Sequence, residues 1–374
     1  MASIARRNLF HDRIRLAVTL TGIVFSVVLA AIQLGLFLGF QRATSDVIDR
    51  SGADLWVVSR GATHLESSVA FTEQQCFRAK SVSGVDAVQK HIVQFGQWKR
   101  PDGAQESVML IGFDTAGRMG RPWNVVAGRV EDLELADTVT VDELYKDKLG
   151  ITHLGQEVEI GGYRARVVAF TRGIRTFTTA PPVFTSFKNA QNYFGLRQDQ
   201  TTYLLAALQP GADPASARQA IAARLGEVDV HTTEQWSRTQ RNYWMFGTGA
   251  GITVLIAAAL GLLVGVVVVA QTIYAATVDH IREFGTLKAM GATNGYIYGV
   301  ILRQALTSGL LGYVVGIGIA LAVSYGSLQG SPAILVPPAL VAALFALTMT
   351  MCAAASMVSI NKVTRLDPAM VFRA

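Results

Sequence analysis

Long stretches without a charged residue constrain this chain more than any other feature. Residues 16–40, 244–278 and 304–361 contain no Asp, Glu, Lys or Arg. The whole chain is 51% apolar and only 16% charged, whereas a soluble domain carries about 25% charged residues. Because an apolar helix of about 20 residues crosses the hydrocarbon core of a bilayer, these stretches predict a membrane protein.

The uncharged stretches divide into four predicted transmembrane helices. The last stretch is too long for one crossing, and its segment QGSPAILVPP places a glycine and three prolines near the middle. The predicted order is a cytoplasmic N-terminal amphipathic segment, helix one, an extracytoplasmic domain, helix two, a cytoplasmic loop, helix three, a short outer loop, helix four and a cytoplasmic tail. The corresponding boundaries are 1–15, 16–40, 41–241, 244–278, 279–302, 303–327, 328–336, 337–359 and 360–374.

Two other interpretations of the uncharged stretches are weaker. Buried helices of a large soluble protein rarely exceed about 18 consecutive apolar residues. A cleaved signal peptide has an apolar core of only about 7–15 residues, shorter than residues 16–40. The first stretch is therefore predicted to be a permanent anchor.

The distribution of basic residues predicts which side of the membrane each segment faces. Residues 41–241 carry equal numbers of basic and acidic side chains, so the net charge of +6 lies in the two termini and around the loop at 279–302. Cytoplasmic segments of membrane proteins are enriched in Lys and Arg. We therefore expect a multi-pass protein of the bacterial inner membrane with both termini in the cytoplasm. The charge balance of the large domain argues against nucleic-acid binding.

Residues 41–241 predict a mixed α/β domain. Hairpins are indicated by strand-like runs on both sides of the segment PDG and on both sides of Gly161 and Gly162. The segment DPASARQAIAARLG predicts a helix with Asp213 as its N-cap, Pro214 in the first position and Gly226 at its end. A strand–helix–strand pattern together with the hairpin-rich part indicates two small subdomains.

The sequence contains no recognisable pattern of catalytic or metal-binding residues. The six histidines are scattered, without the spacing of a metal site, and the chain lacks the phosphate-binding pattern G-x-x-x-x-G-K-[ST]. Cys76 is predicted in the outer segment and Cys352 in the last span near its cytoplasmic end, so the two cannot form a disulfide. The aromatic and basic segment at 172–194 fits either a core strand with a surface loop or a contact surface for a partner or amphipathic cargo.

The segment HIREFGTLKAMGAT, at residues 280–293, is a charged island between the last two uncharged stretches. Its composition favours a short helix, and Phe284, Leu287 and Met290 recur at a spacing that predicts one apolar ridge. Two interpretations fit this pattern. The helix is an ordinary amphipathic loop, or it receives movement from a soluble partner and passes it to the two adjoining membrane helices.

The segment REFGTLKAMGAT closely resembles the signature R-E-[IFY]-[GA]-x-L-[KR]-A-[LM]-G of MacB/FtsX-type permeases of ABC transporters. ARRNLFHDRIRLAVTLTGI near the start, VVAQTIYAATVDHIREFGTLKAMG at the loop and LDPAMVFR at the end are similar to the DevC-like branch, which also includes haem-exporter permeases. The resemblance implies the fold of a mechanotransmission-type ABC permease. In that fold, four transmembrane α-helices carry a large mixed α/β extracytoplasmic domain between helices 1 and 2.

The resemblance also implies roles for particular residues and a set of partners. The loop would be the coupling helix that docks into a separate ATPase subunit, and ATP and Mg would be bound by that subunit rather than by this chain. The implied coupling residues are Arg282, Glu283, Phe284, Gly285, Leu287, Lys288, Ala289, Met290 and Gly291. Asp367, Pro368 and Phe372 match the terminal motif of the family. Further implied partners are a second copy of the chain, a periplasmic adaptor (membrane fusion) protein and an outer-membrane channel.

Glycines four residues apart recur in the predicted spans. Such pairs let helix backbones approach closely in lipid, although glycine is also common in membrane helices. The pairs are Gly35 and Gly39, Gly261 and Gly265, and Gly312 and Gly316. They are candidates for packing within the bundle or between two copies of the chain.

Tyr243, Trp244, Met245 and Phe246 form an aromatic cluster at the predicted outer end of helix two. Anchoring at the membrane interface explains such a cluster, and so does a lateral entrance for a substrate. Because the spans contain no charged residues, a charged path through the bilayer is not expected. Two functions remain open: export of a lipophilic or amphipathic compound (a glycolipid, a haem-like porphyrin or a drug), and FtsX-like regulation of an extracellular hydrolase without transport.

Overall fold

The computed structural model describes residues 13–178, 180–279, 281–328 and 333–364. In chain order the helices are α1 (Arg13–Asp49), α2 (Gln75–Lys80), α3 (Lys146–Leu149), α4 (Phe187–Tyr193), α5 (Pro214–Leu225), α6 (Thr233–Asn242), α7 (Ala250–Asp279), α8 (Ile281–Ala289), α9 (Asn294–Ser327) and α10 (Pro338–Thr364). The strands are β1 (Leu55–Ser59), β2 (Phe71–Thr72), β3 (Val85–Lys99), β4 (Gln105–Phe113), β5 (Val125–Gly128), β6 (Thr138–Asp142), β7 (Glu157–Ile160), β8 (Tyr163–Thr171), β9 (Pro182–Ser186), β10 (Gln200–Thr201), β11 (Tyr203–Leu208) and β12 (Val228–Thr232).

Tertiary contacts divide the chain into two units. The helical unit combines the part of α1 up to Gly39 with Ile252–Leu328 and the chain from Ala333 onward. The sheet unit contains Phe40–Gly251. This division agrees with the predicted order of one span, a large α/β domain and three further spans.

Four helices, α1, α7, α9 and α10, are long and apolar enough to cross a membrane. Their number and order confirm the prediction, but their ends differ from the predicted boundaries. Helix α9 begins at Asn294, before the predicted start at residue 303, because Thr293 caps it by accepting a hydrogen bond from the Tyr296 amide (3.4 Å). The predicted boundaries followed apolar composition, whereas a helix ends where its backbone hydrogen bonds end.

The start of α7 also differs from the prediction. A single π-helical turn, Tyr243–Gly247, precedes the helix, and Gly249 then adopts a φ of 77°. That left-handed backbone conformation interrupts the hydrogen-bonding pattern, so α7 begins at Ala250 instead of residue 244. The aromatic residues at 243–246 consequently belong to the sheet unit and not to the span.

The core of the helical unit consists of side chains from all four long helices. Its fully packed members include Ile23, Val27, Ala31, Val269, Ile273, Tyr313, Ile317, Leu344 and Cys352. Between α1 and α7, the Ser26 hydroxyl donates hydrogen bonds to the Gly22 carbonyl in its own helix (2.9 Å) and to the Gly265 carbonyl across the interface (3.1 Å). The hydroxyl hydrogen is shared between the two carbonyls, and the second contact adds a polar link between the helices.

The paired glycines lie where helices of this one chain meet. A Cβ added at Gly312 would lie 2.6 Å from Ile23 Cγ2, and one added at Gly316 would lie 2.9 Å from Val27 Cβ. The other pairs have similar surroundings: Gly261 faces Gln33, Gly265 faces Ser26, Gly35 faces Ile334, and Gly39 faces the Ala333 carbonyl. These six surfaces are therefore covered within the bundle of one chain. A contact between two copies would have to use other residues.

The sheet unit is organised by one ten-stranded sheet in the order β12-β1-β11-β3-β4-β9-β6-β8-β5, to which β7 adds by pairing with β3 and β8. Because β7 pairs with both, six strands form a closed ring in the order β3-β4-β9-β6-β8-β7. The ring encloses an apolar core that includes Trp98, Val108, Val139, Ile160, Val167 and Val183. The remaining strands, β12, β1 and β11, continue the sheet from β3.

Strand β3 belongs to both parts of the sheet. Its residues 85–91 pair with β11, and its residues 91–99 pair with β4. On the β11 side, alternate residues of β1 such as Leu55 and Val57 pack against Ala79 of α2 and Ile221 of α5. The two predicted subdomains are thus present as an α/β part and a ring of strands, but a shared strand joins them into one sheet.

The local predictions for the sheet unit are confirmed. Strands β3 and β4 pair as a hairpin around the PDG turn, and β7 and β8 pair around Gly161 and Gly162. Helix α5 begins at Pro214, its N-cap Asp213 accepts hydrogen bonds from the Ala215 and Ser216 amides, and Gly226 follows its last residue. Turn and cap residues act through their immediate neighbours, which is why the sequence predicts them well.

Candidate functional sites

Helix α8 ends in a tight, glycine-dependent turn that leads directly into α9. Gly291 has a φ of 94°, and its amide donates to the Lys288 carbonyl (3.0 Å) while the Ala292 amide donates to the Leu287 carbonyl (3.0 Å). These two bonds form a Schellman motif. Thr293 then caps α9, so only residues 290–293 lie between α8 and α9. The predicted coupling segment is therefore a short helix attached to a span by an ordered turn.

Two of the three residues predicted to form an apolar ridge, Leu287 and Met290, lie in different surroundings. Leu287 is half-buried and packs against a cluster of Ile297, Val300 and Ile301 from α9. Met290, in contrast, is 71% exposed. Leu287 thus holds α8 against its own chain, and Met290 is the apolar side chain of this pair that a partner can contact.

The other predicted coupling residues occupy different surroundings. Gly285 is buried, Glu283 is exposed and Lys288 is half-buried. The backbones of Arg282, Phe284 and Ala289 belong to α8, but their side chains lie outside the described part of the structure. Asp367, Pro368 and Phe372 also lie outside the described residues.

The four residues of the predicted aromatic cluster separate on the π-helical turn. Met245 is 3% exposed and lies in the interior, whereas Phe246 is 60% exposed. Tyr243 and Trp244 are half-buried and contact rings from distant parts of the sheet unit. Tyr243 and Trp244 therefore form one site with residues that the local sequence does not indicate, and Phe246 is the most exposed of the four.

The rings around Tyr243 and Trp244 form a continuous aromatic wall. Tyr243 stacks on His64 with ring centroids 3.9 Å apart, and Trp244 lies 4.2 Å from Phe177, which in turn meets the edge of Phe40 at 5.7 Å. Burial lowers the pKa of His64, which favours its neutral form. We call these five side chains the aromatic wall.

A buried acid, Glu66, lies beside the aromatic wall. Neither of its carboxyl oxygens accepts a hydrogen bond from the described residues, and both are buried. Burial raises the pKa of this carboxyl, while its own backbone amide and the side chains of Gln240 and Trp244 oppose that rise. The Gln240 amide oxygen accepts from the Leu65 amide (2.6 Å), but the Gln240 Nε2 and Trp244 Nε1 groups donate to no described acceptor at normal hydrogen-bond geometry.

Sequence reasoning missed Phe40, His64, Glu66 and Gln240 as site residues. They are separated along the chain by long intervals, and no motif links them to Tyr243. Phe177 was noted within the aromatic segment at 172–194. Of the other rings in that segment, Phe184, Phe187 and Tyr193 are buried in the core and Phe194 packs partly buried against it. The core interpretation therefore holds for β9 and α4, and Phe177 contributes to the wall.

Potential metal-ligating side chains are dispersed through the described residues, which contain no group of three or more His, Cys, Asp or Glu side chains that could hold a metal ion. Cys76 and Cys352 are free thiols. The two candidate sites are α8 and the aromatic wall with Glu66.

Two family models cover most of the chain. Residues 16–224 match the MacB-like periplasmic core domain, which is more than half of the chain, and residues 243–368 match the FtsX-like permease C-terminal region. The chain is a member of the MacB/FtsX-type permeases of ABC transporters. A permease of this kind works with an ATPase, so an ATPase subunit is a partner of this one.

Curated relatives of the MacB/FtsX-type permease span its full length. A protein named as an uncharacterized ABC transporter permease of Mycobacterium tuberculosis is 25% identical over 98% of both chains. Another, of Methanocaldococcus jannaschii, is 23% identical over 85% of this chain and 82% of its own. Both names describe permeases.

Two solved structures resemble part of the permease. The periplasmic region of MacB from Actinobacillus actinomycetemcomitans is 12% identical, with a TM-score of 0.40 over 52% of this chain and 96% of that one. The extracellular domain of YknZ, a noncanonic ABC-type transporter from Gram-positive bacteria, is 18% identical, with a TM-score of 0.37 over 48% and 98%.

Proposed function

We propose that this permease is the membrane subunit of an exporter that moves a lipophilic or amphipathic compound outward by mechanotransmission. A separate ATPase subunit binds ATP and Mg and docks on α8, on the cytoplasmic side of the inner membrane. The observation that carries the proposal is the ordered turn through Gly291 that attaches α8 to α9. A helix attached in this way transmits a push to the span rather than absorbing it.

The class of cargo follows from the composition of the spans. Residues 244–278 and 304–361 contain no charged side chain, and intramembrane charges normally mark the path of an ion or polar substrate. A compound taken from the outer leaflet or from the space outside needs no such path. We further propose that two copies of the chain assemble and that an adaptor protein with an outer-membrane channel receives the cargo.

Substitution at the exposed end of α8 tests the proposed coupling. In the full chain co-expressed with its ATPase, Met290→Asp should abolish co-purification of the ATPase. Truncating an apolar anchor at an interface costs about 2 kcal/mol or more, and an unpaired charge there costs more because it loses its hydration. Lys288→Ala should weaken the complex only modestly, since single charges at an interface rim contribute little.

Leu287→Asp is a less specific variant, because it places a charge against Ile297, Val300 and Ile301 of the same chain. It should reduce both the stability of the helical unit and the yield of the complex. Unchanged recovery of the ATPase with Met290→Asp would show that α8 is not the docking element. A complex that hydrolyses ATP in vesicles, moves no lipophilic compound and instead activates a hydrolase would replace export with the regulatory function.

A further inference from the structure

The Glu66 carboxyl is buried and has no cationic side chain as a partner among the described residues. Among the described residues, no Lys, Arg or His side chain forms an ion pair with it, and neither oxygen has a partner at normal hydrogen-bond geometry. Its nearest polar side chains, Gln240 and Trp244, carry no charge. Buried carboxylates are normally paired, because an isolated charge loses its hydration at a large cost. The missing positive charge is the first indication of what this site binds.

The surroundings of Glu66 supply the remaining features of a site for an organic cation. The rings of Tyr243 and Trp244 meet edge to face at 5.3 Å, with Phe177 against Trp244 and His64 stacked on Tyr243. Aromatic faces attract cations through their quadrupoles, most strongly where water is excluded. These four side chains are half-buried rather than fully enclosed, so the wall reaches the surface of the sheet unit while the carboxyl lies beneath it.

The element that carries Trp244 has an irregular backbone. Trp244 lies on the π-helical turn Tyr243–Gly247, an arrangement that is rare and is frequent at functional sites. Gly249 follows with a φ of 77°, a conformation in which glycine changes its backbone angles at little cost. Because the Trp244 indole faces the carboxyl, a shift of this turn would open the acid to a ligand.

We propose that Glu66 and the aromatic wall form a binding site for an amphiphile that carries a protonated or quaternary amine. The carboxylate contacts the cationic centre, and the rings of Trp244, Tyr243 and Phe177 surround it and its apolar substituents. The inference rests on the proposed export function, since it names the chemical class of the cargo. It concerns residues of the sheet unit alone, so it can be tested separately from ATPase coupling.

A pair of ions with the same shape and opposite charge provides the test. The full chain in nanodiscs of zwitterionic lipid is dialysed to equilibrium against tetraphenylphosphonium or tetraphenylborate, and empty nanodiscs give the lipid background. The wild-type chain should bind the phosphonium in excess of the background and not the borate. Glu66→Gln, which preserves shape and removes the charge, should weaken phosphonium binding about tenfold or more, as loss of one partner of a close charge pair does.

The matched control is Glu234→Gln. Glu234 is an exposed acid on α6 that pairs with Arg238 at 2.7 Å, so its replacement removes the same charge without changing the wall. It should bind the phosphonium as the wild type does. Equal phosphonium binding by Glu66→Gln and wild type, or equal binding of the two ions by the wild type, would overturn the proposal.

A second variant keeps the test decisive if Glu66→Gln does not fold. Trp244→Leu retains the carboxyl and removes the largest ring, and it should weaken phosphonium binding about threefold or more through loss of the cation–π contact; unchanged binding overturns the proposal. If the wild type does not bind the phosphonium but still co-purifies with its ATPase, this binding site is rejected and the export proposal is unaffected. If Met290→Asp loses the ATPase but still binds the phosphonium, the coupling site and the cation site are shown to be independent.

Discussion

His91 shows how a single buried side chain can control the stability of the sheet unit. It is fully buried in β3, meets the edge of Trp56 at 5.6 Å, and neither ring nitrogen has a hydrogen-bond partner among the described residues. Burial lowers the pKa of His91 to about 3. Its unfolded value is about 6.5, so the folded form binds the proton less readily than the unfolded form. The stability from this group is present above pH 6.5 and is lost as the pH falls toward 3.

Replacement of His91 by Gln should therefore flatten the acid side of the stability profile. Between pH 7 and pH 5 the wild type should lose about 2 kcal/mol of unfolding free energy through His91, and His91→Gln should lose that much less. Urea unfolding of the full chain can be followed by tryptophan fluorescence, because the five tryptophans all lie within the sheet unit. Comparing slopes with pH, rather than absolute stabilities, removes the packing cost of the substitution. Parallel slopes for the two proteins would contradict this account.

At the scale of elements, the contact between α1 and α9 depends on glycine at particular positions. Ile23 is fully buried, and a Cβ at Gly312 would lie 2.6 Å from its Cγ2. No atom of the described residues lies within 4 Å of a Cβ placed at Gly318 of the same helix. Without a hydrophobic drive between helices in lipid, association depends on such close packing.

Gly312→Ala should thus destabilise the bundle, while Gly318→Ala should be neutral or stabilising. Overpacking a close contact typically costs about 1–3 kcal/mol, whereas Ala in an open helical position favours the helix over Gly by about 1 kcal/mol. Loss of helical circular dichroism on heating in one detergent measures both. If the two variants lost helix at the same temperature, the close contact of α1 with α9 would not limit stability.

For the whole sheet unit, β3 joins the ring of strands to the α/β part. Trp98 lies in the ring core, fully buried, and its Nε1 donates to the Leu149 carbonyl (3.1 Å). Residues 85–91 of the same strand pair with β11 in the other part. Destabilising the ring of strands should therefore also destabilise β11 through the shared strand β3. The sheet unit should unfold in one transition.

Trp98→Ala tests this coupling against Phe95→Ala on the same strand. Loss of a large buried aromatic side chain costs about 3–5 kcal/mol, whereas Phe95 is 41% exposed and its truncation should cost about 0.5 kcal/mol. Hydrogen exchange of the β1 and β11 amides should accelerate in Trp98→Ala and remain near wild type in Phe95→Ala. Protection of β11 that survives loss of the ring would mean that the two parts fold independently.

Much of the architecture was predictable because its determinants are local or periodic. The four spans follow from uncharged runs, the hairpins from turn residues, and α5 from Asp213, Pro214 and Gly226. Helix ends were predicted less well, since Thr293 and Gly249 set them through backbone geometry rather than composition. The candidate sites also combine features that local sequence predicts with features that tertiary packing sets. The segment proposed for coupling was singled out by its motif, whereas the packing of Leu287 on α9 depends on tertiary contacts.

The sequence by itself determined the membrane class, the family and the number of spans, and its motif predicts a coupling role for α8. Charge distribution and short motifs act along the chain, so these properties can be read without knowing which distant residues meet. Only the tertiary structure decided that β7 closes a ring with β3, that Gly312 packs on Ile23, and that Glu66 lies beside Trp244. Each of these depends on the packing of residues far apart in the chain, where many partners of similar size and polarity would satisfy the same sequence pattern.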